Sequence, residues 1–453
     1  MFVGIGLNLV RGGGSASPAS LFAASEPGVW YDPSDLTTLY QDNLGATPVT
    51  AAGQTVGRIL DKSGRGNHAT QATSTQRPTY GINPIVGTRN LLTYTEQFDN
   101  AAWGKTNTTV TANATAAPDG TLTAESVAAT AVNNQHYISY DNLNSVIPDN
   151  TNFALSCYFK PNGRTTGSFS IRLKNSSFAQ VQYDLTTQTL TSSGGIVSSS
   201  IENALNGFFR IVMVANSSSG AGFMSPAIGD TFSTYTGDGT SGIYVWGAQV
   251  ELGSAATAYQ KVVSQYEVTQ AGVQSVSYLA FDGVDDGMVT NTITPAIDKV
   301  QVFAGVRKLS DAATAILVEF SSDVNSNSGS FYITAPNNTG GVSAWVSRGS
   351  ILPANGASSS ALTAPTTRII TGLADISASL ARIRVNGVTG TDGTSSQGTG
   401  NYLAYPLYIG RRGGSTLPLN GRLYSLITRF GTNLTDGQIT ATETWVNGKT
   451  GAY

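Results

Sequence analysis

Two histidines, His68 and His136, are the whole imidazole supply of this 453-residue chain, and neither has a second ligand at metal spacing. A zinc site or a histidine-dependent hydrolase is therefore not expected. Carboxylates gather in one place, FDGVDDGM at Phe281–Met288, where Asp282, Asp285 and Asp286 put three acids close together. A hard cation such as calcium takes several oxygen ligands, so the cluster is a candidate calcium site. The same residues also form turns, Asp282 standing before Gly283, and the segment does not follow the EF-hand pattern. Both readings stay open. No E-x-D-x-E pair of the kind that flanks a glycosidic bond occurs, and a noncatalytic chain is expected. Sugar binding needs aromatic faces for apolar ring faces and short polar groups for hydroxyls. Among 19 tyrosines and 5 tryptophans, the candidates are Tyr137, Tyr140, Tyr235 and Tyr244 in the middle of the chain and Trp345, Tyr402 and Tyr405 near its end. For any one of them, packing in a core is the commoner use.

Charged residues make up only 12% of the chain and the net charge is −3. Such a chain has no field to attract nucleic acid or an anionic membrane. Solubility rests on hydroxyls and amides. The single cysteine, Cys157, sits in FALSCYF, rules out an intramolecular disulfide and reads as a buried small hydrophobe. No apolar run reaches membrane-spanning length.

The elements that would position these residues are strands. Short alternating runs bounded by Gly, Asn, Asp and Ser recur, whereas apolar residues at helical spacing are scarce. Examples are Ala154–Lys160, Ser168–Leu173, Phe209–Ala215, Val300–Val306 and Ala381–Val385. Asn386-Gly387 between alternating β-formers predicts a type I′ hairpin, because both central residues need positive φ. One helix is expected at the end of the chain, with Thr435 as N-cap, Gln438 in the capping-box position, and Ile439, Thr442 and Val446 on its apolar side. At the start, Phe2, Val3, Ile5, Leu7 and Leu9 form an apolar, strand-like run before Gly12-Gly13-Gly14. It lacks the basic region of a signal peptide and is read as an arm that docks by adding a strand to another chain.

Larger motifs organise these pieces. SPASLFAASEPGVWYDPSDLTTLYQD (Ser17–Asp42) and VGRILDKSGRGNHATQ (Val56–Gln71), with FDGVDD much later, resemble a concanavalin A-like, laminin-G-type sandwich. There the two segments normally lie about a dozen residues apart. NLLTYTEQFDNAAWGK (Asn90–Lys105) and IYVWGAQVELGSAATAY (Ile243–Tyr259) resemble the two ends of a jelly roll of the carbohydrate-binding-module type. In its late strand, Trp246 and Val250 are expected on one face, with Val245 and Gln249 on the other. The expected fold is all-β: an arm over 1–20, a discontinuous sandwich over 21–83 and 264–453, and an inserted jelly roll over 84–263. Insertion is cheap where the ends lie close, since loop closure costs grow slowly with length.

This order of parts resembles a bacteriophage virion protein of the tail-fibre, minor-tail or head-decoration kind. The resemblance implies a noncatalytic protein displayed at the virion surface and supplies no glycan; the expectation built on it is that residues 1–20 dock on other virion proteins and the sandwiches meet host-surface polysaccharide. It also implies a homo-oligomer, a trimer being one form, although no coiled-coil heptad run is present. A purely structural capsid or collar protein and a polysaccharide-depolymerising spike are the alternatives. His68, inside SGRGNHA, is expected to bond across its own loop.

Overall fold

The computed structural model describes residues 17–140, 143–222, 224–338 and 340–453, without the side chains of 230–232. The arm residues Phe2, Val3, Ile5, Leu7 and Leu9 lie outside that range. The protein is nearly all antiparallel sheet, with one α-helix, Asp436–Thr450, among the described residues. It divides into two compact units, one running to Ile85 and resuming at Val276–Tyr453, the other Val86–Ser275.

In the split unit, one sheet runs in the order Thr79–Pro84, Ser275–Asp282, Asn420–Phe430, Lys299–Lys308, Thr366–Asp375, Leu380–Val385 and Val388–Thr389. Gly28–Tyr31 also pairs with Asn420–Phe430. A second sheet of nine short strands begins with Leu39–Tyr40, Arg58–Ile59, Ala69–Thr70, Met288–Thr290 and Leu407–Ile409. It continues through Ile316–Phe320, Ser330–Thr334, Ala344–Arg348 and Ala357–Ser358. The split segments meet in it, with Thr70 opposite Val289 and Gln71 Nε2 donating to Gly287 O at 2.7 Å. Val302, Ala304, Ile370 and Leu426 of the first sheet share a core with Phe320, Phe331, Ile333 and Trp345 of the second.

Among the alternate, outward residues of the first sheet several are apolar too, beside polar ones such as Gln301, Thr371 and Arg429 that are buried and hydrogen-bonded. Phe303, Ile369 and Ile427 pack with Leu21, Trp30, Ile439 and Val446, so the helix covers them. Thr435 and Gln438 close the capping box, and Gly451 at φ 64° ends the helix in the left-handed region that glycine adopts without a Cβ clash. Asn386 and Gly387, at φ 50° and 76°, make the expected tight hairpin between Val385 and Val388.

The second unit packs two six-stranded sheets face to face. The first is Ile196–Asn203, Phe209–Asn216, Asn152–Asn162, Gly242–Leu252, Ala124–Ala129 and Thr108–Thr115. The second is Thr189–Gly194, Phe178–Asp184, Thr166–Arg172, Ser225–Thr236, Asn133–Tyr140 and Trp103–Thr106. Leu155, Cys157, Val245 and Val250 from the one meet Phe169, Ile171, Val181 and Ile138 from the other. Burial pushes the Cys157 thiol up to about 12, as befits an inert core side chain.

The expected alternation of Gly242–Leu252 fails at one point. Its register with Asn152–Asn162 slips between Ser156 and Tyr158, and Gly247 takes φ 65°. This bulge inserts one residue, so Trp246 and Val250 fall on opposite faces. Val245 and Val250 enter the main core, and Trp246 joins Phe208, Tyr158 and Tyr259 outside it.

Candidate functional site

The second sheet of the Val86–Ser275 unit turns a polar face away from the core. Directly paired residues point to the same side of a sheet, so the registers can be read as rows. One row runs Thr106, Tyr137, Gly229, Ser168, Gln182, Thr191. The next runs Gly104, Ser139, Ala227, Ser170, Gln180, Ser193. The residues between them, Ile138, Ile228, Phe169 and Val181, are core. Both rows cross six strands, roughly 24 Å, and carry only hydroxyls, amides, one phenol and small residues.

Ser168, Ser170 and Gln180 form the floor, at 3, 1 and 6% exposure. Ser168 Oγ donates to Gly229 O. The Nε2 amide of Gln180 is buried and has no acceptor among the described residues. An unmet buried donor costs about 1–3 kcal/mol, so this amide is the floor's open valence. At one end the face deepens into a groove of about 300 Å³ lined by Arg164, Ser168, Gln182, Asp184, Thr191 and Ser233. Asp184 is the single carboxylate among these lining residues, and it accepts from Thr186 N at 2.8 Å and Thr187 N at 3.3 Å. Those backbone donors, Thr186 first, hold its pKa below the usual carboxylate range.

The aromatic candidates separate. Tyr137 lies half-buried on the polar face, opposite Gly229, which has no side chain to cover it. Tyr235 does not line the groove and stands in a stack: the Arg164 guanidinium lies 3.9 Å from its ring centre and the His136 ring 4.5 Å away. Its faces are therefore taken, so Tyr235 positions Arg164 and offers no open platform. Tyr140 is a packing residue, its ring against Trp103 at 5.1 Å and its hydroxyl 2.9 Å from Thr93 Oγ1. Tyr244 carries the Lys160 ammonium over its ring at 5.8 Å.

In the split unit, the expectation of sugar contact fails for three residues. Trp345 has no exposure and donates from Nε1 to Leu373 O at 3.2 Å. Tyr402 is 1% exposed and hydrogen-bonded to Ser347 Oγ at 2.6 Å. Tyr405 packs edge-on to Phe320 and donates to Ser328 O at 3.1 Å. Each falls on the inward side of its element, where aromatic area serves the core.

The Asp282, Asp285 and Asp286 carboxylates do converge, within 4.8 Å of one another, and three oxygens so placed fit a hard cation. The backbone accounts for the same arrangement. Asp282 Oδ1 accepts from Val284 N at 2.8 Å, Asp285 N at 3.2 Å and Asp286 N at 3.3 Å, and Asp286 Oδ2 accepts from Asp282 N at 3.0 Å. Burial, then the charges of Asp282 and Asp285, push Asp286 up to about 7. In the other conspicuous loop, Asp61 is fully engaged. It takes Trp30 N, Ser63 N and Oγ, and Asn67 N, while its own N–H donates to His68 Nδ1 at 2.9 Å. His136, 3% exposed, has Asn107 O 2.6 Å from Nδ1 and Val132 O 3.2 Å from Nε2, which leaves no ring nitrogen for a metal.

Sequence reasoning missed Ser168, Gln180, Gln182 and Thr191. The signal for Ser168, Gln180 and Gln182 was present in SFSIR and QVQYD, where every second residue is polar; Thr191 carried none.

No family model matches this chain, and no characterised protein matches it in sequence. Solved structures give partial likenesses. A heptameric SAP-like pentraxin from Limulus polyphemus shows 13% identity over 33% of this chain and 73% of its own, at TM-score 0.28. A Ruminococcus gnavus IT-sialidase CBM40 bound to α2,3-sialyllactose shows 12% over 34% and 97%, at 0.27. The receptor-binding domain of botulinum neurotoxin D shows 9% over 43% and 50%, at 0.30. Superpositions this loose decide nothing about what the chain binds.

Proposed function

We propose that the protein is a noncatalytic surface protein of a bacteriophage virion whose Val86–Ser275 unit holds host-surface glycan on its outward polar face. The observation that carries the glycan reading is the pair of hydroxyl and amide rows six strands wide, opening into the 300 Å³ groove. Polyhydroxylated ligands are recognised by many short donors and acceptors fixed on a rigid sheet, and the rows supply them. Gln182 and Thr191 stand exposed at the rim, Ser168 and Gln180 form the floor, and Tyr137 offers the one aromatic face in the rows. Asp184, the one carboxylate among the described lining residues, is engaged by its own turn, which weighs against a depolymerising pair of acids.

The virion assignment rests on the sequence resemblance. In it, residues 1–20 dock on other virion proteins, the sandwiches face the host, and symmetric copies, a trimer among the forms, multiply a weak contact. Two experiments test the halves separately. On a glycan array the full chain binds and the Gln182→Ala/Thr191→Ala variant binds about tenfold more weakly; a wild-type chain that binds no glycan would leave the purely structural role. Deleting residues 2–14 leaves a folded protein that no longer enters particles; retained incorporation overturns the docking claim.

A further inference from the structure

The outward face of the first sheet in the split unit changes character where the helix stops. The registers place Ala280, Arg422, Arg307 and Thr367 side by side on four adjacent strands. One row earlier lie Gly305 and Ile369, and there Val446 and Thr450, the last residue of the helix, pack against the bare glycine. Beyond that row the helix no longer covers the sheet, and the outward side chains are two arginines.

Arg307 and Arg422 are direct cross-strand partners of like charge, a pairing that by itself costs stability. Arg307 donates from Nη1 to Thr367 Oγ1 at 3.1 Å, and Arg422 from Nη1 to Asn83 Oδ1 at 3.2 Å while its guanidinium lies 4.4 Å from the Tyr278 ring centre. Among the described residues, no carboxylate and no backbone carbonyl accepts from either one. Arg77, by contrast, is held by three carbonyls and Arg384 by both oxygens of Glu443. A guanidinium carries five N–H donors, so most of this pair's donors are unspent. Both residues are half-buried, and neither leaves an unbonded nitrogen sealed from the surface as the Nε of Arg368 is. Burial first, with the Arg422 charge adding to it, lowers the Arg307 pKa from its ordinary value. Nearby charge does not neutralise the pair. Asp282, two residues along from Ala280 on the same side, is held by three N–H groups of its own turn. On the other side of the sheet, Lys308 and Arg368 stand against the single carboxylate of Asp311.

We propose that Arg307 and Arg422 together bind a phosphoryl group on this face. Two neighbouring guanidinium forks offer paired N–H donors to one tetrahedral oxyanion, and a phosphate charge of roughly −1.5 to −2 near pH 7 matches the two cations. The Thr367 hydroxyl accepts from Arg307 and keeps its own O–H to give to the same anion. An anion held between the arginines also removes their mutual repulsion. The site belongs to the split unit alone and does not depend on the groove of the other unit.

Calorimetric titration of the full chain in chloride buffer tests it, with inorganic phosphate and with glycerol 3-phosphate as the two probes. At least one of them binds the wild type, and Arg307→Gln/Arg422→Gln raises the Kd about tenfold or more. Binding of the ester as tight as that of the free ion means that the site takes a phosphoryl group carried on a larger molecule; binding of inorganic phosphate alone means that it takes the free ion. Arg307→Gln alone, which leaves Arg422 on Tyr278, weakens binding about fivefold and gives the readout if the double variant does not fold. In thermal unfolding, phosphate at matched ionic strength raises the wild-type midpoint more than that of Arg307→Gln. Binding of neither probe, unchanged affinity in both glutamine variants, or an equal rise of the midpoint in wild type and variant, as general salting by phosphate gives, overturns the proposal.

Discussion

The helix-covered sheet of the split unit and the groove-bearing sheet of the Val86–Ser275 unit are both two-faced, yet their outward residues differ in kind. Under the helix they include Phe303, Ile369 and Ile427, with Thr371 hydrogen-bonded to Glu443 of the helix. On the groove sheet they are Ser168, Ser170, Gln180 and Gln182. A strand with apolar residues on both sides needs cover on both sides, and Asp436–Thr450 with Leu21 and Trp30 supplies it. A strand with polar alternates is sorted for water or for a polar ligand. Outward composition therefore separates a face built for the protein's own packing from one left for contact. The nine-stranded sheet adds a third case, in which the outward row mixes Tyr40, Tyr408 and Tyr332 with Arg58, Thr70, Val289, Glu319 and Val346.

Breaking the inner side of that pattern has the largest effect. Trp345→Ala removes a wholly buried ring and costs about 3–5 kcal/mol by chemical denaturation. Tyr332→Ala, on the adjacent strand but facing out, costs about 1 kcal/mol or less. Equal losses would mean that both faces are core. Next, Ile427→Ser under the helix destabilises by about 2–4 kcal/mol, because a buried methylene cluster is lost and a hydroxyl is left beneath Val446. The matching change of sign on the groove sheet, Ser170→Val, alters stability far less than that.

A pH effect sharpens the comparison within each unit. Burial and then the Asp99 charge push Glu125 up to about 7, and burial and then Asp282 push Asp286 to about the same value. A carboxyl whose folded pKa is raised binds protons in the folded state that the unfolded state has released. Stability from these groups is thus fullest below about pH 4 and is lost as pH rises towards 7. Glu125→Gln flattens that decline from the Val86–Ser275 unit and Asp286→Asn from the split unit, as read by thermal midpoints between pH 4 and 8. Calcium or a chelator leaves the midpoints unmoved, since backbone donors already close the Asp282 turn; a calcium-dependent rise that Asp286→Asn abolishes would make the cluster a metal site.

Much of this was legible in the sequence, and the reasons are local. The Asn386-Gly387 hairpin and the Thr435 capping box are written in neighbouring residues and need no tertiary information. The rows were not legible, because Ser168 finds Gly229 on one side and Gln182 on the other only once three strands are in register. Trp345 and Tyr402 illustrate the same limit: an aromatic side chain reads alike in sequence whether its element turns it inward or outward. The bulge at Gly247 is subtler still, a single inserted residue that sends Trp246 to the face opposite its expected partner Val250.

Glycan contact is proposed for the outward polar rows of the Val86–Ser275 unit. Binding of the full chain to a glycan array, measured beside Gln182→Ala/Thr191→Ala at matched thermal stability, tests it most directly. Contact through the rows gives wild-type binding that falls about tenfold in the variant. Binding of equal strength in both proteins, or none by the wild type, would contradict it.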